Sequence, residues 1–285
     1  MPIIPHEQVC DFAKLTMLVY EYGNTFVLDN KSTVESFVSS LNDNSHTIKN
    51  ESRLKAIQDL STSSPHGYVH KFYSIDSTDL QVGITVSKSH KRITVVFRGS
   101  ESKSDWYYDL SVLKTQLHDN VYVHGGFHTQ LHGEDMYKNL CEEIFEVMKE
   151  HNDYEVFITG HSLGAALSTL FGYELSREEK MKESKVTIVS FASPRVGNLE
   201  FRKSFDSQEN LIHYRVTNNR DAVTAIPMIF FHHVGINIAV SEDECKIYEN
   251  YSYNTWFRYS LFSCFSISDH NIDLYHERLL KHKWD

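Results

Sequence analysis

The residues of this chain best suited to covalent chemistry lie in F-I-T-G-H-S-L-G-A-A-L, residues 157–167, where Ser162 stands two positions from a glycine on either side. An ordinary turn needs one glycine. Two of them, between an apolar run (V-F-I-T) and a helical run (A-A-L-S-T-L-F), mark a strand-to-helix turn so tight that a Cβ at either glycine would strike a neighbour. A serine held there presents its hydroxyl at the C-terminal end of the strand. The first N–H groups of the following helix point at the same place, which suits a developing oxyanion. The chemistry this predicts is nucleophilic attack on a carbonyl.

A serine hydroxyl needs a base, and the base needs a carboxylate to orient it. With a G-x-S-x-G turn, the acid and then the histidine follow the serine along the chain. Asp221 is the best-placed acid. It follows the β-type run L-I-H-Y-R-V-T and sits in N-N-R-D-A-V-T-A-I-P, so a loop at the C-terminal end of a strand presents it. Asp206 and Asp243 lie in polar segments of surface character. Beyond Asp221 stand His232, His233, His270, His276 and His282. The first two read as the opening of a strand, H-H-V-G-I-N-I. His276 and His282 fall on the terminal helical pattern N-I-D-L-Y-H-E-R-L-L-K-H, where exposure is expected. His270, in I-S-D-H-N, occupies the loop before that helix, where the base belongs.

The elements that must position these residues are legible as periodicity. Residues 6–21 carry apolar groups at helical spacing. Residues 22–66 are polar, with short helical patterns near 32–41 and 51–60, and read as a surface elaboration without chemistry. The sheet is expected to start near Leu80, where L-Q-V-G-I-T-V-S and R-I-T-V-V-F form a hairpin-like pair. A strongly amphipathic helix follows over 129–150, then strand Y-E-V-F-I-T, the helix from Ser162, and strands V-T-I-V-S-F and L-I-H-Y-R-V. Strands alternating with helices predict an α/β fold with a mostly parallel central sheet and helices on both faces. No linker or repeat divides the chain, so residues 1–285 read as one domain, with 1–79 an N-terminal helical elaboration.

Composition narrows the function classes. The 285 residues carry a net charge of −10, which argues against nucleic acid and against strongly anionic membranes, though not against neutral lipid. No run approaches the ~20 apolar residues that span a bilayer. The start, M-P-I-I-P-H-E-Q, lacks a basic and an apolar signal region, and Cys10, Cys141, Cys245 and Cys264 are too scattered for a disulfide framework. These features predict a cytoplasmic protein. Three glycosylation sequons, at Asn30, Asn50 and Asn250, point the other way and leave secretion open. His124, His128 and His132 recur every four residues, but Gly125-Gly126 argues against one helix through all three. Without H-E-x-x-H, paired CxxC or a P-loop, no metal and no cofactor is expected.

Beyond the elbow, several stretches resemble the class 3 lipase family, the fungal-type triacylglycerol lipases of α/β-hydrolase fold. They are F-R-G-S with S-D-W-Y-Y-D-L (97–110), V-H-G-G-F (123–127), T-G-H-S-L-G-A-A-L, F-A-S-P-R-V-G-N (191–198), the Asp221 turn, H-H-V-G and D-H-N-I-D-L-Y. Ala165 stands where the family usually has a third glycine, and Thr224 departs from the usual D-x-V-P. The resemblance implies a Ser162, Asp221 and His270 triad, with Ser100 and the backbone N–H of Leu163 as oxyanion hole. It also implies a lid over the site, in which Trp106, Tyr107 and Leu110 share the apolar face of a short amphipathic helix. The implied activity is hydrolysis of lipid esters, acylglycerols first. Phospholipase A1 and feruloyl-type esterase are alternatives within the family, and a binding scaffold that retains the fold is one outside catalysis. The aromatic run 251–265 suits either an acyl pocket or core packing.

Overall fold

The computed structural model describes residues 3–21, 33, 36, 48, 50–62, 65–100, 113–227, 229–249 and 268–284. These residues hold ten strands and seven α-helices. An eight-stranded sheet contains β1 (Tyr68–Ile75), β2 (Leu80–Ser87), β3 (Arg92–Phe97), β6 (Glu155–His161), β7 (Val186–Phe191), β8 (Leu211–Asn218), β9 (Ile236–Val240) and β10 (Cys245–Tyr248), in that spatial order. Strands β3, β6, β7, β8 and β9 run parallel; β1, β2 and β10 pair antiparallel at the two edges. A separate hairpin joins β4 (Lys114–His118) to β5 (Val121–His124).

The central strands are continuous apolar and β-branched runs because both faces of the sheet are covered. In β6, Val156 and Ile158 enter one core and Phe157 the other, the two-residue period of a strand at work. The first core is closed by α3 (Gly125–His132), α4 (Met136–Glu150), α5 (Leu163–Ser176) and α6 (Leu199–Asp206). Helix α5 is buried all round except at Glu174, as its A-A-L-S-T-L-F sequence requires. The second core is closed by α1 (His6–Glu21), α2 (Glu51–Thr62) and α7 (Ile272–Lys281).

The N-terminal region, expected to be a helical elaboration over 1–79 with a polar surface segment at 22–66, also carries a strand and core contacts. The sheet begins at Tyr68, one strand earlier than Leu80. Helix α1 buries ten of its side chains, and Ala56, Ile57 and Leu60 of α2 join the same core. Arg53 clamps the three helices of this face, donating to Glu21 of α1 at 2.7 Å and to Asp273 of α7 at 2.7 and 2.8 Å. The polar composition of 22–66 concealed how this short helix holds on, by three apolar side chains and the Arg53 ion pairs together.

The helix expected over 129–150 is two. Glu134 and Asp135 take positive φ, 50° and 57°, and break it into α3 and α4. Helix α3 starts at Gly125, so the glycine pair does not prevent a helix: His128 and His132 stack at 4.3 Å between ring centroids, and His124 is the N-cap. His232 and His233 precede the strand they were expected to open, since β9 begins at Ile236. Among the described residues no helix is long and apolar enough to cross a membrane.

Candidate active site

Ser162 sits between the end of β6 and the start of α5 with φ 61° and ψ −123°. An L side chain adopts such a backbone only against strain of ~1–3 kcal/mol, and packing holds it there. A Cβ on Gly160 would lie 2.5 Å from the Gly164 carbonyl, and one on Gly164 would lie 2.3 Å from the Phe97 oxygen. Strand β3, strand β6 and helix α5 therefore meet backbone to backbone beneath the serine. Ala165, where the family usually carries glycine, is fully buried, so this chain accommodates a methyl group at that position.

Asp221 and His270 reach Ser162 from different elements. Asp221 follows β8 and is fully buried. The N–H of Val223 donates to its Oδ1 at 2.9 Å, closing the turn. His270 precedes α7; its Nε2 lies 2.7 Å from Ser162 Oγ and its Nδ1 2.8 Å from Asp221 Oδ2. The chain Oγ, Nε2, Nδ1, Oδ2 is continuous, and each heavy-atom distance is within hydrogen-bonding range.

Groups that the sequence reading passed over hold this chain in place. The Tyr275 hydroxyl donates to Asp221 Oδ2 at 2.6 Å and accepts from the Asn218 N–H at 2.9 Å. Burial and the neighbouring Asp221 push the Tyr275 phenol well above its ordinary pKa, so it remains a donor. Asn218 donates from Nδ2 to the Asp269 carbonyl at 2.9 Å. Arg278 binds both the Asn218 side chain and, at 3.1 Å, the Asp269 carboxylate. The residue preceding His270 is thereby fixed to the strand that carries Asp221. Behind the imidazole, the His161 ring stacks on His270 at 4.6 Å between centroids, and the Tyr20 hydroxyl of α1 lies 2.8 Å from His161 Nδ1. Tyr275 closes the D-H-N-I-D-L-Y stretch (269–275), in which only His270 was given a role. Nothing in the spacing connects Tyr20 to a serine 142 positions away. His276, expected to be exposed, is buried, and desolvation lowers its pKa to about 4.

The expected oxyanion residues lie on the same edge of the sheet. Leu163 is the first residue of α5, in the turn whose N–H groups have no partner inside the helix. Ser100 follows β3, which pairs with β6 through Phe97 and Gly160. Gly99 lets this segment pass close, since a Cβ there would lie 2.1 Å from the Tyr20 hydroxyl and 2.6 Å from the His161 carbonyl. Trp106, Tyr107 and Leu110 of the expected lid lie outside the described residues, as does the aromatic run 251–265.

Other clusters do different work. His132 Nε2 is 3.1 Å from Glu174, and His124 packs on Phe127 and Phe231. Among the described residues no three His, Cys, Asp or Glu are arranged to hold a metal ion.

A mostly parallel sheet covered on both faces, with a serine at a strand-to-helix elbow, is the α/β-hydrolase fold. The family pattern described as Lipase (class 3) matches residues 94–231. The match covers just under half of the chain, which is similar to the class 3 lipase family over these residues. A phospholipase A1-II 1 of Oryza sativa subsp. indica is 30% identical over 167 residues, 52% of this chain and 42% of the relative. The secreted mono- and diacylglycerol lipase A of Penicillium cyclopium is 32% identical over 162 residues, 56% of this chain and 51% of the relative. The chain thus spans about half the length of the curated relatives it matches. In fold it resembles the triacylglyceride lipase of Rhizomucor miehei, with TM-score 0.72 and 21% identity over 94% of this chain and 96% of that one.

Proposed function

We propose that this chain is a serine carboxylic-ester hydrolase, a lipase that cleaves acylglycerol esters with Ser162 as nucleophile, His270 as base and Asp221 as the orienting acid. The observation that carries the reading is the continuous chain from Ser162 Oγ through the His270 imidazole to buried Asp221, at 2.7 and 2.8 Å. His270 takes the hydroxyl proton as Oγ attacks the ester carbonyl, and Asp221 holds the tautomer and stabilises the imidazolium. The Leu163 N–H and Ser100 receive the oxyanion; one such donor is worth ~2.7–4 kcal/mol of barrier. Collapse expels the alcohol with the proton from His270. Water, activated by the same imidazole, then releases the acid.

The test is labelling by a fluorophosphonate together with hydrolysis of p-nitrophenyl esters and emulsified triacylglycerol. Ser162→Ala should abolish labelling and lower turnover on the order of 10⁶-fold. A folded wild type that neither labels nor turns over ester would sink the reading in favour of a binding scaffold. Phospholipase A1 activity is the second reading, favoured by the name of the rice relative; release of the sn-1 acyl chain from phosphatidylcholine decides it. For Trp106, Tyr107 and Leu110 the lid remains our reading, supported by their apolar spacing, and a rate jump as substrate aggregates is its test. Free, buried Cys10 and Cys141 support a reducing, intracellular setting, whereas the Penicillium relative is secreted by name.

A further inference from the structure

Asp221 is not the sole buried carboxylate beside the candidate base. Asp269 precedes His270 in the chain and is 7% exposed. Its backbone cannot swing away: Nδ2 of Asn218, the last residue of β8, donates at 2.9 Å to the Asp269 carbonyl, which belongs to the peptide bond leading into His270. Consecutive Cα atoms stand about 3.8 Å apart, so the Asp269 carboxylate stays within roughly 10 Å of the imidazole. Buried, it is poorly screened by water. Unopposed, it would attract the imidazolium as Asp221 does.

Arg278 opposes it. Helix α7 carries Tyr275 and Arg278 three residues apart, on one face. The Tyr275 hydroxyl donates to Asp221 Oδ2 at 2.6 Å, while Arg278 Nη2 donates to Asp269 Oδ1 at 3.1 Å and Nη1 to Asn218 Oδ1. Arg278 is as buried as its partner. Among the described residues the other cation near Asp269 is Arg220, 3.9 Å away on a largely exposed side chain that water screens. The remaining titratable groups described around His270 are Tyr275 and His161, the latter stacked on its ring with Tyr20 behind. A buried ion pair stabilises little beyond its own desolvation cost, so an apolar pair would hold α7 to β8 as well. Beside an imidazole the ion pair has a use that an apolar pair lacks. We propose that Arg278 is a positioning residue for the candidate base: it cancels the charge of Asp269, so that Asp221 alone governs the balance between imidazole and imidazolium. The inference rests on the ester-hydrolase reading and adds a residue to its machinery.

The test is the pH dependence of kcat/KM on p-nitrophenyl butyrate for the wild type, Asp269→Asn, Arg278→Met and the double variant, each beside a thermal melt. Asp269→Asn keeps the shape and an acceptor for Arg278 but leaves the guanidinium unopposed, which disfavours the imidazolium. Its acid limb should move to lower pH by about one unit, the effect of a unit charge roughly 10 Å away at an effective dielectric of about 20. Arg278→Met leaves the carboxylate unopposed, and its limb should move by about as much to higher pH. With both charges gone, the double variant should return the limb to its wild-type position. Arg278→Lys keeps the cation, so its limb should stay in place although its Tm falls. A pair that merely ties α7 to β8 predicts a lower Tm and kcat in each single variant with the limb fixed, and that result overturns the proposal. So does a limb that moves the same way in both single variants, or one that the double variant does not restore. If Arg278→Met does not fold, Asp269→Asn and the double variant carry the test, with the limb lowered in the first and restored in the second. A folded wild type that never labels with fluorophosphonate removes the base on which the pair acts and overturns both readings. A wild type that labels, with a limb that ignores both charges, overturns this one alone.

Discussion

Replacing Tyr275 with Phe removes one oxygen from a fully buried site and acts on the candidate base through Asp221. The hydroxyl makes two bonds, to Asp221 Oδ2 at 2.6 Å and from the Asn218 N–H at 2.9 Å. The first is charge-assisted, worth about 1.5–3 kcal/mol, and the second leaves a buried N–H unpaired at a cost of about 1–3 kcal/mol. Stability should fall by about 2.5–6 kcal/mol, or roughly 4–10 °C in Tm for a chain of this size. Catalysis should respond differently. With one donor fewer, the Asp221 carboxylate attracts the imidazolium more strongly, so the acid limb of the kcat/KM profile should move to higher pH. Looser orientation of His270 should cost about tenfold in kcat, equivalent to about 1.4 kcal/mol. The assay is the pH dependence of p-nitrophenyl butyrate hydrolysis beside a thermal melt. If Tm falls while kcat and the acid limb stay put, Tyr275 is structural and the positioning argument is wrong. If neither changes, the two hydrogen bonds carry no net energy and the accounting itself fails.

Gly164→Ala should cost about 3 kcal/mol or more, or prevent soluble expression, because the new methyl meets only backbone, 2.3 Å from the Phe97 oxygen. Gly126→Ala is the contrast: its Cβ meets the His124 ring at 3.2 Å, so helix propensity should hold the change within about 1 kcal/mol in urea denaturation. Burial lowers the pKa of His66 and His213 from 6.5 to about 3 and that of His276 to about 4. The unfolded chain therefore binds protons at these sites before the folded one does, so stability is present above about pH 6.5 and is lost as pH falls toward 3. Each histidine contributes a slope of about 1.4 kcal/mol per pH unit within its window. Urea midpoints that stay level from about pH 7 to about pH 4.5 would refute this.

How much was legible depended on whether a residue's role is carried by its neighbours in the chain. Ser162 could be singled out because the glycines at 160 and 164 answer a local demand, the close approach of β3, β6 and α5. Asp221 and His270 could be singled out as candidates because one follows a β-type run and the other stands just before the terminal helical pattern. The β2–β3 hairpin and the parallel centre followed from β-branched runs of strand length. The break at Glu134 and Asp135 was missed because amphipathic spacing continues through it, and the left-handed turn there is made by residues that are not glycine. Residues 51–62 were taken for surface because only Ala56, Ile57 and Leu60 face the core, and the partners of Arg53 stand on two other helices.

The sequence by itself determined the central strands, the helices around the serine turn and their order, because periodicity and turn residues act over a few positions. Only the tertiary structure decided what stands behind their ends. Tyr275 beneath Asp221, Tyr20 against His161, and Arg278 tying Asp269 to Asn218 all join residues distant in the chain. The physical reason is that burial and hydrogen-bond pairing depend on which surfaces the packed sheet brings together, and local spacing carries no record of that.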